Sequence, residues 1–154
     1  MLFAMEIRDF LVADDVLVGL RTSDKKHLLQ DLSARAAASL GLDPNELSRA
    51  LFAREALGST GVGDGVAIPH ARIASVKKPF GILACIKRAV AFEAIDNQPV
   101  DVVFLLLLPA DPNPEHLRSL ASVARALRDP EVVRRLRRAR DSAQAYSCLA
   151  GSGG

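Results

Sequence analysis

The segment REALGSTGVGDGVAIPHAR, from Arg54 to Arg72, concentrates the groups best suited to chemistry. Gly58, Gly61, Gly63 and Gly65 fall within eight positions and are followed by Pro69-His70 and then Arg72. Glycine at that density lets the backbone adopt left-handed conformations and brings N–H groups close to an anion. A phosphate-cradling loop is one reading, and a long irregular turn is the other. His70 is expected at a strand end. Imidazole is substantially neutral, and so nucleophilic, near pH 7, and it accepts a phosphoryl group directly. A histidine held by hydrogen bonds in a loop would have the same spacing, so both roles stay open at this point. Ser59 sits in Leu57-Gly58-Ser59-Thr60-Gly61, which lacks the G-x-S-x-G elbow of a hydrolase nucleophile. It is expected to hydrogen-bond the loop or a phosphate oxygen.

Other chemistries fail on spacing. A Walker A loop needs a strand, then Gly, four residues and Gly-Lys-Ser/Thr opening a helix; here a helix precedes the glycines and no lysine lies between Lys26 and Lys77. A dinucleotide fingerprint needs the strand before and the helix after, and the order is reversed. His116 falls in the first turn of a helix opened by Asn113-Pro114, where an imidazole can hydrogen-bond an anion or simply face solvent. His27, beside Lys25 and Lys26, is expected to face solvent. The three histidines are too far apart in sequence to share a helix face, and no Cys or carboxylate cluster completes a metal site. No metal or cofactor is expected.

The elements around these groups follow from periodicity and caps. Thr22, Ser23 or Asp24 caps a first helix whose face is Leu28, Leu29, Leu32, Ala36 and Leu40, ended by Gly41. Asp43, with Pro44 and Glu46, opens a second, with Leu47, Ala50, Leu51 and Leu57 on its apolar side and Gly58 at its end. Strands are expected at Val66–Ile68, Phe80–Ile86, Ala89–Phe92 and Val102–Leu108, the last central because it is apolar on both faces. Helices opened by Asn113-Pro114 and Asp129-Pro130 follow, with a short one from Ser142 to Leu149. Helices before and after a block of strands imply a layered α/β domain.

The 154 residues favour a single domain, and 49% hydrophobic with 25% charged residues fits an ordinary globular chain. Aromatics make up 5% with no Trp, too few for a base-stacking platform, so a nucleic-acid partner is not expected. Cys85 and Cys148 have no ligand spacing and read as small hydrophobes in a reducing compartment. The run Val102–Ala110 is about half of the roughly 20 residues a membrane helix needs, and charges at Glu6, Arg8 and Asp9 interrupt any leader. A cytoplasmic chain without direct membrane insertion is expected. The net charge of +2 is unevenly spread, with eight arginines between Glu115 and Arg140 against Glu115, Asp129 and Glu131. Val132, Val133 and Leu136 keep an apolar stripe between them, so a solvated helix face is expected there, with contact to phosphates or an acidic partner as the alternative.

The stretch LFAREALGSTGVGDGVAIPHARI resembles the signature of the IIA domains of the fructose/mannitol class in the bacterial phosphotransferase system (PTS), and within it the nitrogen-regulatory branch, enzyme IIA-Ntr. The similarity continues through DFLVADDVLVGLRTSDKKHLLQDLSARAA, FEAIDNQPVDVVFLLLLPAD and EHLRSLASVARALRDPEVVRRLRRARD. It implies an α/β fold over residues 1–150, a PTS IIA type-2 domain with a mixed central sheet flanked by helices on both faces in a three-layer sandwich of the mannitol-IIA type, and a flexible tail at 151–154. It implies that His70 accepts a phosphoryl group from the phosphohistidine of an HPr or NPr carrier, itself charged from phosphoenolpyruvate by enzyme I. Arg54 and His116 are then phosphate-supporting neighbours, with Gly58, Ser59, Thr60, Gly61 and Gly63 forming the loop and Arg72 adding positive charge. Ala71 follows the histidine where many relatives have Gly. No IIB or IIC segment is attached within these residues, so the expectation is a phosphohistidine carrier in nitrogen, potassium or metabolic regulation. The alternatives are a IIA donating to a separate IIB and a binding module that no longer transfers. A docking carrier would need an apolar patch around His70, drawn from the loop and the helix after Asn113.

Overall fold

The run Val102–Leu108 forms the middle of the sheet in the computed structural model, which describes residues 6–151. Among the described residues there are six strands and five α-helices. The strands are β1 (Val16–Leu20), β2 (Gly61–Gly63), β3 (Val66–Ala67), β4 (His70–Ile73), β5 (Phe80–Val90) and β6 (Val100–Pro109). The helices are α1 (Lys25–Leu40), α2 (Pro44–Leu57), α3 (Glu115–Leu127), α4 (Pro130–Arg138) and α5 (Ser142–Tyr146), and a π-helical turn, Ser147–Gly151, follows. The end of the expected tail, residues 152–154, lies outside the described residues.

The sheet runs β1-β5-β6-β3-β2, with β4 also paired to β6. Pairing is parallel for β1 with β5 and for β3 and β4 with β6, and antiparallel for β5 with β6 and β2 with β3. Alternate residues of β6 enter two cores. Val103, Leu105 and Leu107 pack with Leu28, Leu32, Leu47 and Leu51 of α1 and α2. Val102, Phe104, Leu106 and Leu108 pack with Val123, Val133, Leu136 and Ala145 of α3, α4 and α5. Burial on both faces is why the strand is continuously apolar. Each such side chain fully buried contributes about 1.5–3 kcal/mol. The result is the expected single mixed α/β domain in three layers.

The β3 and β4 segments keep one register against β6, from Val66 opposite Val102 to Ile73 opposite Pro109. They are separated at Ile68-Pro69 because proline has no N–H to donate, although its carbonyl still accepts from Leu106 N at 2.9 Å. His70 therefore opens β4. Ala71 and Ile73 point into the α1/α2 core, so His70 and Arg72 share the other face.

The caps formed as the sequence indicates. Asp24, Asp43 and Asp129 accept from the backbone N–H of His27, Asn45 and Glu131, and Gly41 ends α1 at φ 70°. Several expectations need correction. Leu57 is 86% exposed rather than on the buried side of α2, and Glu46 accepts from Ser75 Oγ at 2.5 Å instead of completing a capping box. Strand β1 precedes α1, so the strands do not form one block between helices. Ala89 and Val90 extend β5 rather than starting a new strand, and Phe92 lies beyond it, fully buried in a loop. Arg137 in the arginine-rich stretch is not merely solvated: it donates from Nε and Nη2 to Asp101 at 2.9–3.1 Å and from Nη2 to Asp64 O at 2.7 Å. Cys85 is buried, which pushes its thiol up to about 12. No helix among the described residues is long and apolar enough to cross a membrane.

Candidate active site

Helix α2 delivers Arg54 and Glu55 on its last turn, and the chain then folds back through the glycine-rich loop into the β2–β3 hairpin. The loop is held by a network centred on Glu55, whose side chain is 5% exposed. Its carboxylate accepts from Thr60 N at 3.1–3.2 Å and from the Thr60 hydroxyl, and it pairs with Lys25 Nζ at 2.9 Å. Lys25 also donates to Phe92 O at 3.2 Å and lies 4.5 Å from the centre of the Phe92 ring. Ser59 Oγ donates to Phe92 O at 3.0 Å and accepts from Gly61 N at 3.0 Å. A buried charge pair of this kind is sustained because the remaining donors and acceptors are filled. Gly61 is required by proximity, since a Cβ there would come within 2.7 Å of Ala94 Cβ. Gly63 ends β2, and Gly65, at φ 80°, turns the chain under Arg137 and Asp101. Arg54 caps the helix end by donating from Nη1 to Gly58 O at 2.8 Å.

His70 is half-buried beside this loop. Its Nδ1 lies 2.7 Å from Ile68 O, and a carbonyl only accepts, so Nδ1 carries the proton and Nε2 keeps its lone pair. Nε2 has no hydrogen-bond partner among the described residues and is not buried, so it is open to an incoming group. Burial holds the His70 pKa below the ordinary imidazole value, and the Arg54 charge pushes the same way. The Ile68 hydrogen bond and the Glu55 carboxylate oppose them without reversing the shift. The ring is accordingly neutral near pH 7, the form a nucleophile needs.

On the same face of β4, Arg72 is exposed and donates from Nη1 to Asp111 O at 3.2 Å. Asp111 in turn accepts from His116 Nε2 at 2.9 Å. The Asn113 N–H holds the Asp111 carboxyl below the usual range, helped by His116 and Arg72. His116 is 7% exposed, and its Nδ1 is buried without a partner among the described residues. The structure thus brings Arg54 and the loop to His70 and ties Arg72 to His116 through Asp111. No direct hydrogen bond joins His116 to His70 among the described residues. His27 faces solvent and caps back on Asp24. Leu57, Val62, Ile95 and Leu117 are exposed around the ends of α2, β2 and α3 and the loop after β5. No group of three or more His, Cys, Asp or Glu side chains among the described residues could hold a metal ion.

Sequence reasoning missed Glu55, Lys25, Phe92 and Asp111. Glu55 stood next to Arg54 and Asp111 five residues before His116, which are local signals. The joining of Lys25 to Phe92 is a tertiary event with no sequence mark.

The family profile described as "Phosphoenolpyruvate-dependent sugar phosphotransferase system, EIIA 2" matches residues 9–151. The nitrogen regulatory protein of Bradyrhizobium diazoefficiens is 43% identical over 146 residues, covering 95% of each chain. The crystal structure of nitrogen regulatory protein IIA-Ntr from Neisseria meningitidis superposes with a TM-score of 0.88 at 31% identity, covering 94% of this chain and 99% of that one. Enzyme IIA-mannitol, solved in complex with phosphorylated enzyme IIB-mannitol from Escherichia coli, shares the fold with a TM-score of 0.77 at 22% identity, over 92% of this chain and 97% of that one.

Proposed function

Because the chain belongs to the EIIA 2 family of the phosphoenolpyruvate-dependent sugar phosphotransferase system, we propose that it is a phosphohistidine carrier that accepts its phosphoryl group on Nε2 of His70. The donor is the phosphohistidine of a small HPr- or NPr-type carrier, charged by enzyme I in the cytoplasm. The output is nitrogen, potassium or metabolic regulation, in keeping with the nitrogen regulatory proteins among its relatives. The observation that carries this reading is the fixed tautomer: Nδ1–H is committed to Ile68 O, so the free lone pair is on Nε2.

In the transfer, the Nε2 lone pair attacks phosphorus as the P–N bond to the donor imidazole breaks, and the donor leaves with its electron pair. No proton leaves His70. The Nδ1–H···O bond to Ile68 stabilises the positive charge that develops on the ring. Little else is asked of the protein beyond in-line alignment and neutralisation of the equatorial oxygens. Arg54 supplies a guanidinium beside His70, and the loop from Gly58 through Ser59, Thr60, Gly61 and Gly63 supplies backbone positions held by Glu55. Arg72 adds positive charge, and His116 is the further phosphate-supporting side chain. Leu57, Val62, Ile95 and Leu117 are the apolar contacts offered to the docking carrier.

The test is incubation with phosphoenolpyruvate, enzyme I and an HPr or NPr carrier. The expected product is one acid-labile, base-stable phosphate per chain, lost in His70→Ala; full labelling of that variant would overturn the assignment. A second reading, donation to a sugar-specific IIB, is favoured by the fold shared with the mannitol IIA solved on its phosphorylated IIB. Onward transfer from the labelled chain to a IIB, with a growth defect on one sugar, would select it.

A further inference from the structure

At the far end of the sheet from His70, Arg21, Thr22, Lys87 and Arg88 line a cleft of about 420 Å³. That volume is within the range of small-ligand sites. The placement follows from the strands: β1 ends opposite Ile86, so Arg21 and Thr22 come beside Lys87 and Arg88, whereas His70 lies level with Gly81 through Leu106. Six residues along β5 separate the two, roughly 20 Å of extended chain.

Two features set this cleft apart from an ordinary basic surface. Arg21, Lys87 and Arg88 converge with no carboxylate lining the cleft, and none of the three has an ion-pair or hydrogen-bond partner through its side chain among the described residues. Arg134, Arg135 and Arg137 of α4, by contrast, reach Glu131 and Asp101. The nearest acid in sequence, Asp24, is occupied by the N–H and the ring of His27. Both strands are also irregular here. β1 shifts register against β5 between Val18 and Leu20, at Gly19 with φ 74°, and β5 shifts against β6 between Cys85 and Val90. Bulges re-aim side chains that a regular strand would send to alternate faces.

We propose that this cleft is a second, separate anion site that takes a small ligand bearing two or more phosphate groups. Like charges gathered without counterions repel, and a multivalent anion relieves that repulsion. Two guanidinium forks suit the paired oxygens of phosphate, and the ammonium of Lys87 adds a point charge. The Thr22 hydroxyl provides a neutral hydrogen-bonding group at the same wall. The site stands apart from the transfer proposed at His70.

Titration of the full chain with pyrophosphate, followed by backbone amide NMR, tests it. Shifts confined to residues 19–22 and 86–90 are expected, with affinity at least tenfold weaker in a Lys87→Gln, Arg88→Gln double variant. A control losing the same charge elsewhere, Arg135→Gln with Arg138→Gln, is expected to bind as the parent does. Equal losses in both double variants, or shifts centred on the glycine loop, would overturn the site. Flotation with vesicles containing cardiolipin, whose headgroup carries two phosphates, distinguishes the source. Flotation lost only in the Lys87/Arg88 variant assigns the phosphate to a lipid headgroup, and pyrophosphate binding without flotation assigns it to a soluble ester. Neither response overturns the proposal. Phosphoryl labelling is expected to be unchanged in the Lys87/Arg88 variant, which keeps this test independent of His70.

Discussion

The two flanks of His70 are built on opposite principles. On the loop flank, Glu55, Lys25, Thr60, Ser59 and the Phe92 carbonyl satisfy one another in a closed, largely buried network. On the α3 flank, Asp111 engages His116 through one nitrogen while the other, buried Nδ1 is left without a partner. The first flank is complete before any ligand arrives. The second still has a buried polar atom without a partner, an arrangement that carries a free energy cost. The difference teaches that preorganisation here is one-sided: the loop flank is satisfied from within, and the α3 flank is not.

Glu55→Ala should break the comparison most severely. It strands a mostly buried ammonium at Lys25 and removes the acceptor for two Thr60 donors, so about 3–5 kcal/mol of stability should be lost in a urea titration. Glu55→Gln should recover part of this, because an amide oxygen still accepts from Thr60. If Glu55→Ala unfolds at the parent midpoint, the network does not hold the loop.

Arg54→Ala comes next. Arg54 makes one hydrogen bond, to a carbonyl at an exposed helix end, so its loss should move stability by no more than about 1 kcal/mol. Its charge beside His70 should matter more, and labelling from the carrier should slow by about 10²–10³-fold. Normal labelling with an early melt would assign Arg54 to structure alone.

On the other flank, His116→Asn keeps an amide donor on α3 but does not reach as far. Labelling should fall about tenfold, about 1.4 kcal/mol in the transition state, with little change in melting. A variant that labels at the parent rate would reduce His116 to a support for Asp111.

These flanks were unequally readable in the sequence, for a physical reason. Caps at Asp24, Asp43 and Asp129, the stop at Gly41 and the two-sided apolar strand β6 are local patterns, set by residues within one turn or one strand of each other. They formed as the spacing indicated. Strand β1 was missed because VLVGL is half-exposed and carries a glycine where its register shifts. His70 was expected at the end of a strand, whereas it opens β4, because Pro69 interrupts the pairing with β6 and the chain resumes it in the same register. The Glu55 network was not readable: Lys25, Glu55 and Phe92 are thirty or more residues apart, and only the packing of α1 on α2 and on the loop after β5 brings them together. Leu57 failed the helical periodicity because α2 outruns the core at its last turn.

The smallest effect is also the most direct readout of the loop flank, the titration of His70 itself. The folded ring has a pKa below the ordinary imidazole value, mainly through burial with Arg54 pushing the same way, so the unfolded chain holds the proton over a pH window that the folded chain has already left. Within that window stability rises with pH, and acid draws the chain toward the unfolded state. NMR of the imidazole nitrogens should show a midpoint below that of an ordinary imidazole and the Nδ1–H tautomer above it. Arg54→Ala should raise the midpoint by removing a like charge, and Glu55→Gln should lower it by removing an opposite one. Unchanged midpoints would mean that neither side chain senses the ring, leaving burial and the Ile68 hydrogen bond to set its protonation.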